Sequence, residues 1–173
     1  TLYAKKRSIL SAFRHYGWKL TLAGADKTLT PCAFAQQRGA EPIDLDCTLD
    51  AIGDVDAYDG LSVMPGPAHT GLIRSEATLE WIRRAADAGL VVSGWCRGVR
   101  VLAAADVLVG KRVVGHADDR EVIEAAGATF VGHDHPPVID GTLVTSARSY
   151  HYRVQNTRAI CDAIDARRTI LGA

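Results

Sequence analysis

The chain lacks the features that mark several large classes of protein. Its formal net charge is zero, with 20 Lys and Arg against 20 Asp and Glu, so no overall charge attracts it to nucleic acid or to an acidic membrane. No apolar run reaches the roughly 18 residues of a membrane span, and the opening residues do not form a signal peptide. No C-x-x-C pair or zinc-finger spacing occurs. These absences predict a cytoplasmic protein with free thiols that binds neither nucleic acid nor membrane.

The composition is that of a globular protein. Of the 173 residues, 47% are apolar and 23% are charged, which excludes collagen, intrinsic disorder and coiled coil. A chain of this length buries about 70% of its unfolded surface and suits one domain. We therefore expect a single domain over residues 1–173. The first residue is Thr1 rather than Met, which suggests that the sequence begins inside a longer protein.

Predicted helices alternate with continuous apolar strands, which is the pattern of a mostly parallel sheet covered by helices on both faces. The elements that matter most are a strand at Trp18–Ala23, a strand at Leu90–Trp95, a helix at Arg97–Val107, a helix at Asp118–Ala126 capped by Asp118 or Asp119, and a hairpin joining Val138–Ile139 to Thr142–Ser146. The predicted helix Thr1–Tyr16 has no strand before it, although a doubly wound sheet normally begins with one. Either the first strand lies upstream of this sequence or the sheet is one strand short.

One segment carries a catalytic pattern. Gly94-Trp95-Cys96-Arg97-Gly98 places a nucleophile between two glycines, between an apolar strand and an alanine-rich helix. In this context a sharp turn, here called the elbow, holds the nucleophile in a strained backbone, and the helix N-terminus favours a thiolate. The alternative is a buried structural cysteine whose neighbouring glycines serve the turn. The setting favours Cys96 as a nucleophile, whereas the other cysteines have no such context.

Several segments resemble the ThiJ/PfpI family of the class I glutamine amidotransferase-like superfamily. That family includes the parkinsonism-associated protein deglycase, PfpI-type proteases and isonitrile hydratases. The matching segments, in order, are Tyr58-Asp59-Gly60 with Met64-Pro65-Gly66, Leu72–Arg74, Gly94–Gly98, Leu102–Arg112 and Ile139–Ser146. The resemblance implies a flavodoxin-like three-layer α/β sandwich, a homodimer or higher homo-oligomer, a strand before Thr1, and Cys96 as the elbow nucleophile.

The chain departs from the family pattern around this cysteine. Family members often carry a His directly after the nucleophile, where this chain has Arg97. Others supply a His from the end of the next strand, and His116 matches that position. The resemblance therefore implies His116 as the catalytic histidine, with the backbone N–H of Arg97 as an oxyanion donor. A cationic Arg97 side chain near Cys96 would lower the pKa of the thiol.

Two further departures concern the oxyanion hole and the catalytic acid. The second glycine of the family's P-G-G turn donates a backbone N–H, but Pro67 stands there and has none. Losing one such donor typically costs about 3 kcal/mol of transition-state stabilisation. The family's Glu after the first strand corresponds to Thr1–Lys6, which contains no acid; Tyr3, Lys5 or Lys6 would face the pocket instead.

Other polar residues surround the predicted pocket. Gly66, Pro67, His69 and Trp95 are expected to bind substrate, although Trp95 also suits the core and a loop histidine is most often simply solvated. His133, Asp134 and His135 could chelate a metal, but a polar surface loop or a dimer contact is the better interpretation. Arg148, Tyr150, His151 and Tyr152 follow a strand end, so they line either the pocket or a partner's edge. No metal or other cofactor is expected.

Two functions remain open from the sequence. The first is an enzyme, a cysteine-dependent hydrolase, hydratase or lyase, acting on a small carbonyl, imine, amide or isonitrile-type substrate. The changed triad and oxyanion hole favour a specialised, biosynthetic reaction over protease, deglycase or glyoxalase activity. The second is a non-catalytic member that senses redox state or binds a small ligand.

Overall fold

The computed structural model describes residues 9–31, 36–37, 39 and 41–172. The chain divides into two compact units, residues 1–53 and 54–173. The predicted pocket residues Tyr3, Lys5 and Lys6 lie outside the described residues. Within the described part of the chain, none of the helices combines the length and the apolar character that crossing a membrane requires.

The first unit consists of short elements. Its described elements are helix α1 (Ile9–His15), strands β1 (Ala23–Gly24), β2 (Thr28–Leu29), β3 (Ile43–Asp44) and β4 (Cys47–Thr48), and a 3₁₀ turn at Leu49–Ala51. Strand β1 pairs parallel with β4, and β2 pairs antiparallel with β3. The predicted strand Trp18–Ala23 is wrong except for its last residue. The amide of Leu22 donates to the Asp46 carboxylate at 2.7 Å and its carbonyl accepts the Asp46 amide at 2.8 Å, so regular strand pairing begins only at Ala23, which pairs with Cys47.

A four-stranded mixed sheet and a two-stranded parallel sheet form the centre of the second unit. Its strands are β5 (Gly60–Val63), β6 (Val91–Trp95), β7 (Arg112–Val114), β8 (Thr129–Gly132), β9 (Val138–Asp140) and β10 (Leu143–Ser146). Four strands lie in the order β5-β6-β10-β9, with β5, β6 and β10 parallel, and β7 pairs parallel with β8. The predicted hairpin is confirmed, because β9 and β10 pair antiparallel. The Val114 amide also donates to Thr145 Oγ1 at 3.0 Å, which connects β7 to β10.

Helices cover both faces of this sheet. They are α2 (His69–Ile73), α3 (Glu76–Asp87), α4 (Gly98–Ala104), α5 (Arg120–Ala125) and α6 (Arg153–Leu171), with 3₁₀ turns at Val55–Ala57 and Ala117–Asp119. A Cβ at Gly60 would touch Ile164 of α6, whereas a Cβ at Gly94 would touch Val99 and Leu102 of α4. Gly60 and Gly94 point to opposite faces, because Gly60 is in register with Val91, three residues before Gly94.

The central strand β6 shows why an apolar run such as Leu90–Trp95 predicts a sheet with helices on both faces. Every residue of Val91–Trp95 is buried, since helices pack on both sides of the strand. Helix α3 begins at a side-chain cap, with the Ser75 hydroxyl accepting the Thr78 amide at 3.3 Å. The predicted α/β fold with a mostly parallel sheet is confirmed. This architecture brings the carboxyl ends of β5, β6 and β10 together at the elbow.

Candidate functional site

Cys96 lies in the turn between β6 and α4, and its backbone is strained. Its φ is +52°, in the left-handed region that residues with a side chain rarely adopt. Two backbone hydrogen bonds hold this conformation: the Cys96 amide donates to the Ser146 carbonyl at 2.6 Å, and the Cys96 carbonyl accepts the Val99 amide at 3.1 Å. Strain that neighbouring elements maintain is typical of functional positions. The geometry is that of the nucleophile elbow predicted from the sequence.

The two glycines that flank the elbow are required by close packing. A Cβ at Gly98 would overlap the backbone carbonyl oxygen of Val63, at the end of β5. A Cβ at Gly94 would lie 2.8 Å from Leu102 Cδ1 and 3.1 Å from Val99 Cα. Neither approach leaves room for a methyl group. The glycines therefore allow α4 to start directly against the sheet, which is what fixes the direction of the turn.

The thiol of Cys96 is partly buried, and this governs its acidity. Burial raises the pKa of Cys96 above its ordinary value, outweighing a hydrogen bond from the Arg97 backbone N–H and the Arg97 charge, which both lower it; the Asp119 charge raises it further. The predicted lowering by the Arg97 charge is present, but the net shift of the Cys96 pKa is upward. Arg97 does favour the thiolate, but desolvation favours the neutral thiol more strongly.

We expect the alkylation of Cys96 by iodoacetamide to rise with pH through a midpoint above about 8.5, the ordinary value for a thiol. Only the thiolate reacts, so a raised pKa moves the midpoint toward alkaline pH. The rate at Cys96 is resolved from the other cysteines by peptide mass spectrometry. The same peptide in the denatured chain is the control, and a native midpoint below that of the denatured chain contradicts the dominance of burial.

The guanidinium of Arg97 is bound by two neighbouring carboxylates. Its Nη2 lies 2.7 Å from Asp118 Oδ2 and its Nη1 lies 2.6 Å from Asp119 Oδ1. Arg100, one turn along α4, contacts the same Asp119 oxygen at 3.3 Å. The Asp118 side chain is exposed, whereas that of Asp119 is completely buried. The positive charge beside Cys96 is thus largely compensated within the protein.

The predicted capping role of Asp118 and Asp119 is wrong. No side-chain cap forms at the start of α5, because both carboxylates bind Arg97 instead. The cap of the preceding 3₁₀ turn is His116, whose Nδ1 accepts the Asp118 amide at 3.2 Å. Two acids after a histidine fit a helix start, and nothing local in the sequence shows that an arginine about twenty residues away would bind them.

His116 joins the same network through Asp118. Burial and the Arg97 charge lower the pKa of His116 below its ordinary value, with a further contribution from His133, against the opposing charges of Asp118 and Asp119. A neutral ring that accepts the Asp118 amide at Nδ1 carries its proton on Nε2. His116 Nδ1 also lies 3.5 Å from Asp118 Oδ2, a contact that becomes an ion pair only when the ring is protonated.

His133 packs against His116, while its neighbours in sequence have other partners. The two rings meet edge to face with centroids 4.9 Å apart, and His133 Nδ1 lies 3.3 Å from the Gly115 carbonyl. Asp134 binds the Arg148 guanidinium at 2.6 Å, and His135 Nδ1 contacts its own neighbour, the Pro136 carbonyl. No group of three potential metal ligands is found among the described residues.

The Pro67 turn follows β5. Gly66 has a φ of +128°, Pro67 is exposed, and the Pro67 carbonyl accepts the Thr70 hydroxyl at 3.1 Å. His69 is partly buried, with Nδ1 3.1 Å from the Gly66 carbonyl. This turn approaches the elbow from the β5 side, since Val63 and Met64 lie against Gly98. The substrate-binding roles of Gly66, Pro67 and His69 stay predictions.

Trp95 lies in the core of the second unit. It is 0% exposed, and its indole N–H donates to Ser62 Oγ at 2.8 Å, which links β6 to β5. This is the core placement that the sequence allowed as an alternative to a pocket wall. The predicted role of Trp95 in substrate binding has no direct support in this position.

Replacing Trp95 with Phe is expected to lower the free energy of unfolding by about 1–3 kcal/mol, because the Ser62 hydroxyl loses its donor and the smaller ring leaves a void. The Michaelis constant of any substrate found is expected to stay within about 2-fold, since a core residue does not touch substrate. Urea unfolding and steady-state kinetics measure the two effects. A raised Michaelis constant with unchanged stability would instead make Trp95 a pocket residue.

The structure therefore connects Arg97, which follows Cys96 directly, to His116 through Asp118 and Asp119. The sequence predicts only a helix-capping role for these two acids. A strained cysteine in a strand–turn–helix elbow on a parallel sheet defines a class of α/β proteins that carry their reactive group at the ends of the strands.

The chain belongs to the DJ-1/PfpI family, whose family model matches residues 7–156. It is 32% identical over 105 residues to Protein DJ-1 homolog D of Arabidopsis thaliana, a match that covers 60% of this chain and 27% of that protein. The chain therefore spans about a quarter of that relative's length. The predicted family resemblance is confirmed.

Solved structures share the fold. A two-domain protein from Anabaena variabilis, containing DJ-1/ThiJ/PfpI-like and ferritin-like domains, aligns with a TM-score of 0.79 at 23% identity, covering 91% of this chain and 43% of that one. A ThiJ/PfpI domain protein from Brachyspira murdochii aligns with a TM-score of 0.80 at 16% identity, covering 91% and 86% of the two chains. The flavodoxin-like fold is thereby confirmed.

Proposed function

We propose that the protein is a cysteine-dependent enzyme in which Cys96 attacks the electrophilic carbon of a small carbonyl, imine, amide or isonitrile-type substrate. The observation that carries this proposal is the strained backbone of Cys96 at the elbow, held by Ser146 and Val99. A buried structural cysteine needs no left-handed backbone. Maintaining one costs of order 1–3 kcal/mol, which suits a position whose orientation matters.

The first chemical step is addition of the thiol to the electrophilic carbon. With a carbonyl, imine or amide, a bond forms between sulfur and carbon, the π bond breaks toward the heteroatom, and the thiol proton moves to that heteroatom. With an isonitrile, sulfur and the proton both add to the terminal carbon and give a thioimidate, so the step balances in either case without a co-reactant. Because the pKa of Cys96 is raised by burial, the thiol begins neutral and gives up its proton as the substrate reacts.

His116 and the Arg97 backbone assist this step. In the neutral ring with Nδ1 occupied by the Asp118 amide, Nε2–H is the group available to donate toward the substrate heteroatom and relay the proton. The Arg97 backbone N–H, a hydrogen bond from which lowers the pKa of Cys96, is the donor that we assign to the negative charge developing on the substrate heteroatom. Pro67 offers no second donor from the β5 turn, which favours substrates needing less oxyanion stabilisation than peptide hydrolysis.

The test is inactivation by labelling. The protein is screened against uncharged aldehydes, amides and isonitriles, and turnover of any substrate found is followed while iodoacetamide is added at alkaline pH. We expect activity to fall in proportion to the fraction of Cys96 alkylated, and excess substrate to slow the labelling. The control is a Cys47→Ser variant, which lacks another partly buried thiol. Iodoacetamide is expected to inactivate this variant as it inactivates the wild type, because Cys96 is still present. Full activity with Cys96 fully alkylated contradicts the proposal.

A non-catalytic, ligand-binding or redox-sensing role is the second candidate. The raised pKa of Cys96 favours ligand binding within this candidate, since a protonated thiol is a weak nucleophile in the resting protein. It favours redox sensing less, because oxidation also proceeds through the thiolate. The same screen separates the two candidates: saturable binding or slowed alkylation without turnover supports the second.

A further inference from the structure

The carboxylate of Asp119 is buried beside the elbow without an assigned role. Its side chain is 0% exposed, its Oδ1 accepts hydrogen bonds from Arg97 and Arg100, and its Oδ2 has no hydrogen-bond partner among the described residues. Burying a carboxylate is costly even when it is paired, and well-packed apolar residues often serve stability better. The arrangement therefore calls for a reason other than stability.

Asp119 connects the two parts of the site that must be aligned. Arg97 directly follows Cys96 and stands at the start of α4, and Arg100 lies one turn further on. Asp119 ends the 3₁₀ turn Ala117–Asp119 that His116 caps. Its bonds to the two arginines thus attach the turn carrying His116 to the helix that begins at the elbow.

The exposed neighbour Asp118 is a weaker second attachment. It binds Arg97 Nη2 at 2.7 Å, and its amide donates to His116 Nδ1. An ion pair with an exposed carboxylate is screened by water and contributes little, whereas the fully buried Asp119 carboxylate holds the partly buried Arg97 side chain in one geometry. The two terminal nitrogens of Arg97 therefore bind one carboxylate each, Nη2 that of Asp118 and Nη1 that of Asp119, and this fixes the orientation of the guanidinium.

We propose that Asp119 is a positioning residue that, through Arg97, fixes His116 relative to Cys96. This inference rests on the proposed function of Cys96 and adds a residue that binds no substrate. The Arg97 side chain then positions other residues, while its backbone N–H acts on the reacting atoms.

Two substitutions that break the same link separate positioning from electrostatics. Arg97 and Asp119 are the charges that act on Cys96, and Arg97, Asp118, His133 and Asp119 are those that act on His116. Asp119→Asn removes a negative charge and should lower the pKa of Cys96. Arg97→Gln removes a positive charge and should raise it. Positioning predicts that both variants lose turnover, although their thiol pKa values move in opposite directions.

The experiment compares Asp119→Asn, Arg97→Gln and Asp119→Glu with the control Asp59→Asn. Asp59 pairs with Arg168 at the start of β5, at the opposite end of the strand from the elbow. We expect kcat to fall at least about 10-fold in the first two variants with KM nearly unchanged, since misplacing a catalytic group by about 1 Å costs up to about 100-fold. Asp119→Glu, which keeps the charge, should recover part of kcat, and Asp59→Asn should behave as the wild type.

Two outcomes overturn the inference. One is a wild-type kcat in folded Asp119→Asn. The other is a kcat that rises in one of the variants Asp119→Asn and Arg97→Gln and falls in the other, as their opposite shifts of the Cys96 pKa alone would produce. If Asp119→Asn fails to fold, Arg97→Gln and Asp119→Glu carry the same test. If no substrate is turned over, the proposed function fails by itself. The positioning role is then read from the His116 ring signals by NMR in Asp119→Glu, which keeps the charge: the signals must still change there, and must not change in Asp59→Asn.

Discussion

The Cys96→Ser variant is expected to lose at least about 10³-fold in kcat against whichever small electrophile the wild type turns over. Serine keeps the size of the side chain and the backbone bonds of the elbow, so the protein should remain folded. Its hydroxyl is a much weaker nucleophile, and in the proposed mechanism only His116 and the Arg97 N–H assist it, because Pro67 has no N–H to add. Steady-state kinetics measures the loss, and far-UV circular dichroism checks the fold.

Cys47→Ser is the matched control, because Cys47 is also a partly buried free thiol but lies in β4 of the first unit. Its kcat is expected to equal that of the wild type. Comparable losses of kcat in Cys96→Ser and Cys47→Ser would mean that replacing any partly buried cysteine disturbs the protein, and would contradict a specific role of Cys96 as nucleophile.

Replacing Gly98 with Ala is expected to lower the free energy of unfolding by about 3 kcal/mol, at the upper end of the range for overpacking. The new methyl group would overlap the Val63 carbonyl oxygen and approach that of Met64 to 3.1 Å, both backbone atoms that cannot rotate away. Relief requires α4 to move away from β5, which also changes the turn at Cys96. We therefore expect the Cys96 alkylation midpoint to move toward that of the denatured chain.

Gly71→Ala provides the comparison for this helix substitution. Gly71 lies inside α2 and is exposed, and a methyl group added there would meet no described atom within 4 Å. Alanine at this position should therefore be neutral or stabilise the protein by up to about 1 kcal/mol. Urea unfolding measures both variants. Equal stability of Gly98→Ala and the wild type would show that the elbow does not depend on this close approach.

The fold follows from local sequence patterns, which is why the sequence predicts it well. The apolar run that ends at Trp95 is typical of a strand covered on both faces, and Val91–Trp95 is such a strand. The strand predicted at Trp18–Ala23 is placed too early, because apolar alternation is a local signal whereas its pairing partner, the segment around Asp46, lies 24 residues further along the chain. Pairing with so distant a segment leaves no local signal of where the strand begins.

The site is predicted only in part, for the same reason. The glycines around Cys96 locate the elbow, and the family resemblance locates His116. The acidity of the thiol depends on burial, and the function of Asp119 depends on Arg97, 22 residues away; both are properties of packing. The predicted homodimer and the predicted cytoplasmic location do not follow from contacts within one chain, and both stay predictions.

The most direct test of nucleophilic attack by Cys96 is to trap the covalent intermediate. The wild-type protein is mixed with a substrate that it turns over, quenched within one turnover, digested and mapped by mass spectrometry. Covalent catalysis predicts a substrate-derived mass on the peptide containing Cys96, formed at least as fast as kcat and absent in Cys96→Ser. Turnover in Cys96→Ser at the wild-type rate, or an adduct that forms more slowly than product, would contradict it.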